Sequence, residues 1–216
     1  MRQLPLDLVF RPSRAREDYV VSAANAPALA GIDGWRGWPG GKAALVGPSG
    51  AGKTHLAHVW AAATGAAIVT PAALGRLPDA PAIALEDADD VAGDAAAETA
   101  LFHAHNALAE AGRPLLVTAR RAPALWGIAL PDLRSRLEAA LVIDLPPPDD
   151  ALLGALLAKL FADRRIAPPP ALIPWLAARI ERSAAAAQEA VARLDAASLA
   201  EGAPVGLGLA RRTLAA

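Results

Sequence analysis

The chain has 216 residues, with 21 Lys and Arg against 22 Asp and Glu, so a net charge of −1 gives no global basic field to draw it onto nucleic acid. It has no cysteine, which excludes disulfides and thiolate chemistry and fits a reducing compartment. No apolar run reaches the roughly 18 residues of a membrane span and the N-terminus lacks an apolar signal region, so a cytoplasmic protein is expected, with no membrane contact and one domain or a core with a small appendage.

Residues 1–18 read as a flexible, polar, Arg-rich segment. Its first ten residues, MRQLPLDLVF, nevertheless carry several apolar side chains. A ragged helix over 24–34 contains Pro27 and Gly31. Apolar runs at 43–46, 66–70, 82–86, 114–118 and 140–145 then alternate with helical stretches at 53–63, 94–111 and 133–139. Five buried-type strands separated by helices predict an α/β fold, a five-stranded parallel sheet with helices on its faces. The prolines at 146–148 break this rhythm, and Asp149 can cap the helix that follows. Beyond them only helices are expected, over 150–163, 170–181, 184–200 and 207–215. The organisation predicted is an N-terminal segment (1–18), an α/β base (19–147) and a small all-helical domain (148–216).

The chemistry concentrates after the first strand. Gly47-Pro48-Ser49-Gly50-Ala51-Gly52-Lys53-Thr54 matches G-x-x-x-x-G-K-[ST], with a strand before it and a helix after it. Glycines let the backbone turn its N–H groups inward onto phosphate oxygens, and the helix presents its positive N-terminus to the same point. Lys53 is expected to reach the β- and γ-phosphates and the Thr54 hydroxyl to ligate Mg²⁺. The ligand expected is ADP or ATP with Mg²⁺. Glu86 and Asp87 follow the apolar run at 82–86, where ligands bind in open α/β sheets. One carboxylate would complete the Mg²⁺ shell with Thr54, a role given to Glu86, and the other would orient or deprotonate the attacking water. The plainer reading is a solvated acidic loop, because Asp89 and Asp90 follow.

Gly-Lys-Thr-His-Leu (52–56), the acidic pair, Leu-Leu-Val-Thr-Ala-Arg-Arg (115–121) and Leu-Arg-Ser-Arg-Leu (133–137) together resemble the ATPase domain of DnaA-like AAA+ proteins, from about Tyr19 onward. The resemblance implies that Val20 and Val21 lean on adenine. It implies that Thr118 contacts the γ-phosphate or water, and that Arg136 is an arginine finger reaching a nucleotide held by a neighbouring subunit. His55 joins the nucleotide-binding set through packing and backbone contact. On spacing alone, Arg134 and Arg136 read as a solvated helix face. The 148–216 region would be the AAA+ lid. At the lid position where the family carries an Arg, the residue aligned here is Ala186, with Arg182 as a candidate substitute. That departure, with Glu in the first acidic position, implies a protein that binds nucleotide well and hydrolyses it poorly alone.

Initiators of this family carry a further DNA-binding domain after the lid, and no basic recognition helix is read here. The resemblance therefore points to the regulatory Hda family, whose members associate with the DNA sliding clamp and, when ADP-bound, stimulate ATP hydrolysis by DnaA. Gln3, Leu4, Leu6 and Leu8 fit that family's clamp-binding motif, with Pro5 limiting the freedom of the unbound chain. Alternatively, the segment packs on its own domain. DnaA and the clamp are thus the partners implied, with self-association open and DNA contact indirect or weak. Rival functions are a nucleotide-binding adaptor without finger chemistry and a DNA-stimulated autonomous ATPase of helicase-loader type.

Other residues carry weaker signals. His103 and His105 fall on different faces of a helix, against a metal site with Glu98. The five tryptophans (35, 38, 60, 126 and 175) read as core or interface anchors. Arg120 and Arg121 are open to a neighbouring subunit or to DNA.

Overall fold

The computed structural model describes residues 14–214. The expected hook residues Gln3, Leu4, Leu6 and Leu8 lie outside the described residues. In chain order the elements are α1 (Ala26–Asp33), β1 (Lys42–Val46), α2 (Lys53–Thr64), β2 (Ala67–Val69), β3 (Ile83–Leu85), α3 (Ala95–Glu110), β4 (Leu115–Ala119), α4 (Pro131–Glu138) and β5 (Leu141–Asp144). Four helices complete the described chain: α5 (Asp150–Asp163), α6 (Leu172–Ala177), α7 (Ala184–Glu201) and α8 (Leu207–Leu214).

The strands form one parallel sheet in the order β2-β3-β4-β1-β5, as the alternation of apolar runs and helices implied. Strand β1 pairs with β4 on one side and β5 on the other, so chain order reverses around it. The C-terminal edge beside such a reversal is where open α/β sheets hold ligands. β1 and β4 are buried along their whole length, as expected of strands covered on both faces. Alternate β1 residues serve two cores. Ala44 and Val46 pack with α3 and α4, whereas Ala43 and Leu45 pack with α1 and α2 around Trp38 and Trp60, whose rings stack at 5.4 Å.

A third core belongs to α5–α8, built from Leu153, Leu157, Phe161, Leu176, Val191 and Leu194 among others. Asp149 caps α5, its carboxylate accepting from Leu152 N at 2.7 Å. The helix expected over 170–181 is much shorter. α6 spans six residues, the chain tightens into a turn with Arg179 N donating to Leu176 O, and Ser183 is fully extended. Beyond this turn an extended Ser183 caps α7, accepting from Ala186 N at 3.0 Å. No helix among the described residues is long and apolar enough to cross a membrane.

Candidate functional site

The loop between β1 and α2 wraps back on itself. Gly50 and Gly52 take positive φ of 74° and 108°, conformations that side chains disfavour. A Cβ on Gly47 would stand 2.2 Å from the Leu145 carbonyl oxygen, so only glycine allows β1 to leave the sheet beside the end of β5. Lys53 opens α2 with its side chain folded over the loop, donating to the carbonyls of Gly47 (2.7 Å) and Pro48 (3.0 Å). Burial pushes the Lys53 ammonium below its ordinary value, against the opposing pull of Asp87 and Asp89.

Beside this loop lies a cavity of about 590 Å³, the size of a nucleotide-sized ligand pocket. Ser49, Gly50, Ala51, Gly52, Lys53, Thr54 and His55 line one wall, with Asp87 near them. Tyr19, Val20 and Asn25 form a second wall; Leu152, Leu156 and Lys159 of α5, with Ala184, Ala185 and Gln188 of α7, form a third. Val20 lines this cavity, whereas Val21 is 52% exposed and outside the lining.

The acidic pair follows the alternation of β3. Ile83 and Leu85 of β3 face the α3 side and Ala84 the α2 side, so Glu86 falls on the α2 side. Its charge acts on His58, one helical turn beyond Thr54. Glu86 Oε1 is buried with no hydrogen-bond partner, an acceptor suited to a cation or an ordered water. Asp87 has φ 50° and ψ 45°, and its N–H donates to Thr118 Oγ1 at 3.1 Å. Thr118, 1% exposed at the C-terminal end of β4, thus fixes the loop that presents Asp87. Thr54 and Asp87 line the cavity and offer hydroxyl and carboxylate oxygens of the kind a nucleotide-bound Mg²⁺ takes, while Glu86 and Thr118 lie outside its lining.

The rest of the acidic loop is not simply solvated. Asp89 is buried and accepts from the Arg120 backbone N–H (3.3 Å) and Nε (3.1 Å), and Asp90 also pairs with Arg120. Arg120, open to a neighbour or DNA on sequence alone, is committed within the chain. Trp126 is buried, its indole donating to Arg121 O at 2.7 Å, which makes it a core anchor.

Arg136 lies apart from the cavity. It is exposed on α4, its guanidinium 5.2 Å from the ring centre of Phe102 on α3. Glu98 holds α4 in place from below. Its buried carboxylate accepts from Gly93 N (3.1 Å), Ala129 N (3.0 Å) and Leu130 N (2.9 Å), tying α3 to the chain entering α4. Burial opposes that charge, but the backbone donors outweigh it and the Glu98 carboxyl lies below its ordinary range.

Several cavity residues carried no sequence signal. Asn25 shapes the second wall, accepting from Ser22 N and donating to Val20 O, both at 2.8 Å. Lys159 bonds Asp18 at 2.7 Å and Asp163 at 2.9 Å. His55 Nε2 meets the Ala15 carbonyl at 3.0 Å, and its ring packs edge-on against Tyr19. With Arg16 paired to Asp33, these contacts fasten residues 14–19 onto the rest of the fold. Apart from His55, which the resemblance already put in the nucleotide-binding set, only the Lys159–Asp163 spacing was visible locally, as an i,i+4 pair. Arg182 pairs with Asp150 at 2.8 Å, outside the cavity lining, and Ala186 is also outside it.

No family model matches the chain. It is 33% identical over 141 residues to the chromosomal replication initiator protein DnaA of Sphingopyxis alaskensis, covering 65% of this chain and 31% of that protein. It is 32% identical over 113 residues to DnaA of Cutibacterium acnes, covering 52% and 23%. The chain thus spans less than a third of the length of these curated relatives. Among solved structures, domain III of Thermotoga maritima DnaA superposes with a TM-score of 0.83 at 21% identity, covering 95% of this chain and 97% of that one. AMPPCP-bound DnaA from Aquifex aeolicus gives 0.73 at 14% identity, covering 86% and 66%. The Thermotoga maritima RuvB Holliday junction branch migration motor gives 0.72 at 18%, covering 94% and 72%. A phosphate loop at the end of β1, acids after β3, a polar group ending β4 and the likeness of this sheet and its helices to these structures give the chain a DnaA-like AAA+ P-loop fold, with sequence similarity to DnaA over part of its length.

Proposed function

We propose that the chain is a nucleotide-binding regulator of replication initiation of the Hda type. In this reading it binds ADP or ATP with Mg²⁺ in the cavity beside Lys53. It docks on the DNA sliding clamp through Gln3, Leu4, Leu6 and Leu8, and offers Arg136 to ATP held by DnaA. The observation that carries the reading is the position of Arg136: exposed, braced on Phe102, and outside the chain's own cavity, as a group acting on a neighbour's nucleotide must be. The relatives named DnaA support the replication context, and the AMPPCP of one structural neighbour supports a nucleotide ligand.

The chain's own groups account for binding. Lys53 exchanges its loop carbonyls for phosphate oxygens, backbone N–H groups of the loop and of the first turn of α2 cradle the phosphates, and Val20 and Tyr19 cover the base. Thr54 and Glu86 hold Mg²⁺, which when bound neutralises charge on the phosphate oxygens. On the partner, water attacks the γ-phosphorus, the β–γ anhydride bond breaks, and ADP leaves. Arg136 stabilises the negative charge that develops on the transferring oxygens. Self-association and DNA contact have no part in this step.

The test follows phosphate release from DnaA–ATP mixed with DNA-loaded clamp, ADP and the protein. Arg136→Ala should keep ADP and clamp binding while stimulation falls about a hundredfold or more. Unchanged stimulation would refute the finger role and favour the adaptor reading. Deleting residues 1–10 should abolish stimulation on clamp-loaded DNA, and its survival would remove the clamp from the proposal. Substantial turnover without DnaA, raised by single-stranded DNA, would favour the autonomous ATPase.

A further inference from the structure

The described chain begins in a valley between α1 and α2. Tyr19 packs on His55, the Ala15 carbonyl meets His55 Nε2 at 3.0 Å, and Arg14 bonds His58 one turn further along α2. Across the valley Arg16 pairs with Asp33 at the end of α1, through two bonds of 2.6 and 2.7 Å. Followed backwards from Tyr19, the chain therefore runs from the phosphate-loop end of α2 toward its C-terminal end.

A groove of about 200 Å³ continues that path. Ile32, Val59 and Trp60, all 3% exposed or less, line it together with the half-buried Trp35 and the exposed Ala63. Asp33, which Arg16 already grips, lines it too. An apolar cavity of about 150 Å³ takes up benzene, so this groove has room for a phenyl ring.

Residues 1–13 precede Arg14 and lie outside the described residues. Arg11, Pro12 and Ser13 are the nearest of them, and the first large apolar side chain beyond is Phe10. Four residues of extended chain reach about 13 Å. His58 and Ala63 are about 7.5 Å apart along the axis of α2, so the groove is within reach of Phe10. Beside Trp35 and Trp60 an aromatic ring gains ring-to-ring contact beyond its burial.

We infer that this groove is the docking site of Phe10, which anchors the N-terminal segment to the body of the same chain. The anchor leaves residues 1–9 to extend from the groove over at most about 30 Å. This goes beyond the proposed function, since it holds whatever Gln3, Leu4, Leu6 and Leu8 bind.

The full chain has no cysteine, so disulfide trapping tests the contact directly. Phe10→Cys with Ala63→Cys should close an intrachain bond at least about tenfold faster than Phe10→Cys with Leu125→Cys. Leu125 is exposed just ahead of α4, on the other face of the sheet. Equal rates would overturn the proposal. Disulfide-linked dimers forming faster than the intrachain bond would assign the groove to a second copy and overturn it as well. Phe10→Ala and Ala63→Glu should each lower Tm by roughly 2–5 °C, and together by no more than the larger loss, because both displace the same ring. Additive losses, or an unchanged Tm in Phe10→Ala, would also overturn it. These measurements contain no clamp, DnaA or nucleotide, so their failure is distinct from failure of the proposed function.

Discussion

His105 shows how one buried side chain can set a pH response. It is 7% exposed on α3 with Nδ1 unpartnered. Burial first, then the positive charges of Lys42 and Arg136, push its pKa from 6.5 down to about 4. The folded state holds the ring neutral while the unfolded chain protonates it below about 6.5. Its contribution is therefore fully present above pH 6.5 and is lost as pH falls toward 4. Over that window the loss is about 3 kcal/mol. Denaturant titrations at pH 7.5, 5.5 and 4.5 should show a steeper decline for the natural chain than for His105→Leu. Parallel declines would contradict the assignment. Sequence spacing separated His105 from His103 by helix face, but it gave no sign that Lys42 lay near.

Glu98 matters at the scale of elements, because it joins α3 to the start of α4. Helix α4 is only eight residues long and carries Arg136, so its direction depends on how its N-terminal end is held. Glu98→Ala would leave the N–H groups of Gly93, Ala129 and Leu130 without their acceptor. The expected cost is about 2–4 kcal/mol, measured by chemical denaturation. Because the carboxyl lies below its ordinary range, this support is present at neutral pH and lost as acid protonates the group. The variant should bind ADP within about threefold of the natural chain, since Glu98 is outside the cavity lining. Stimulation of DnaA should fall, because α4 no longer presents Arg136 in one direction. A variant as stable as the natural chain would show that Glu98 does not fasten these elements.

Over the whole molecule, the cavity gathers the start of the described chain, the phosphate loop, the acidic loop and two C-terminal helices. Asp18 and Lys159 pair across 141 residues of sequence, and Gly50 meets Ala184. A ligand filling this cavity should stabilise the whole fold and not the loop alone. At a hundred times the dissociation constant, Mg²⁺-ADP should add about 2.7 kcal/mol, raising Tm by roughly 5–10 °C for a chain of this size. Lys53→Ala should remove the shift, and a thermal scan that moves equally for both proteins would place the ligand elsewhere.

The sequence by itself determined the phosphate loop, the alternation that makes a parallel sheet, and the all-helical C-terminal region. Each is written in consecutive residues: a glycine pattern between strand and helix, apolar runs of strand length, and prolines that stop the sheet. Hydrogen bonds within a loop and the burial of a short strand depend mainly on such neighbours. The 170–181 helix marks where neighbours were not enough, since the chain leaves helical geometry after Ala177 and turns before the cap of α7. Only the tertiary structure decided that Arg120 serves Asp89, that Glu98 serves α4, and that backbone from α7 seats the phosphate loop. Those pairings join residues far apart in the chain. A charged or polar side chain has many partners of suitable chemistry, and only the packed cores bring one of them within hydrogen-bond distance.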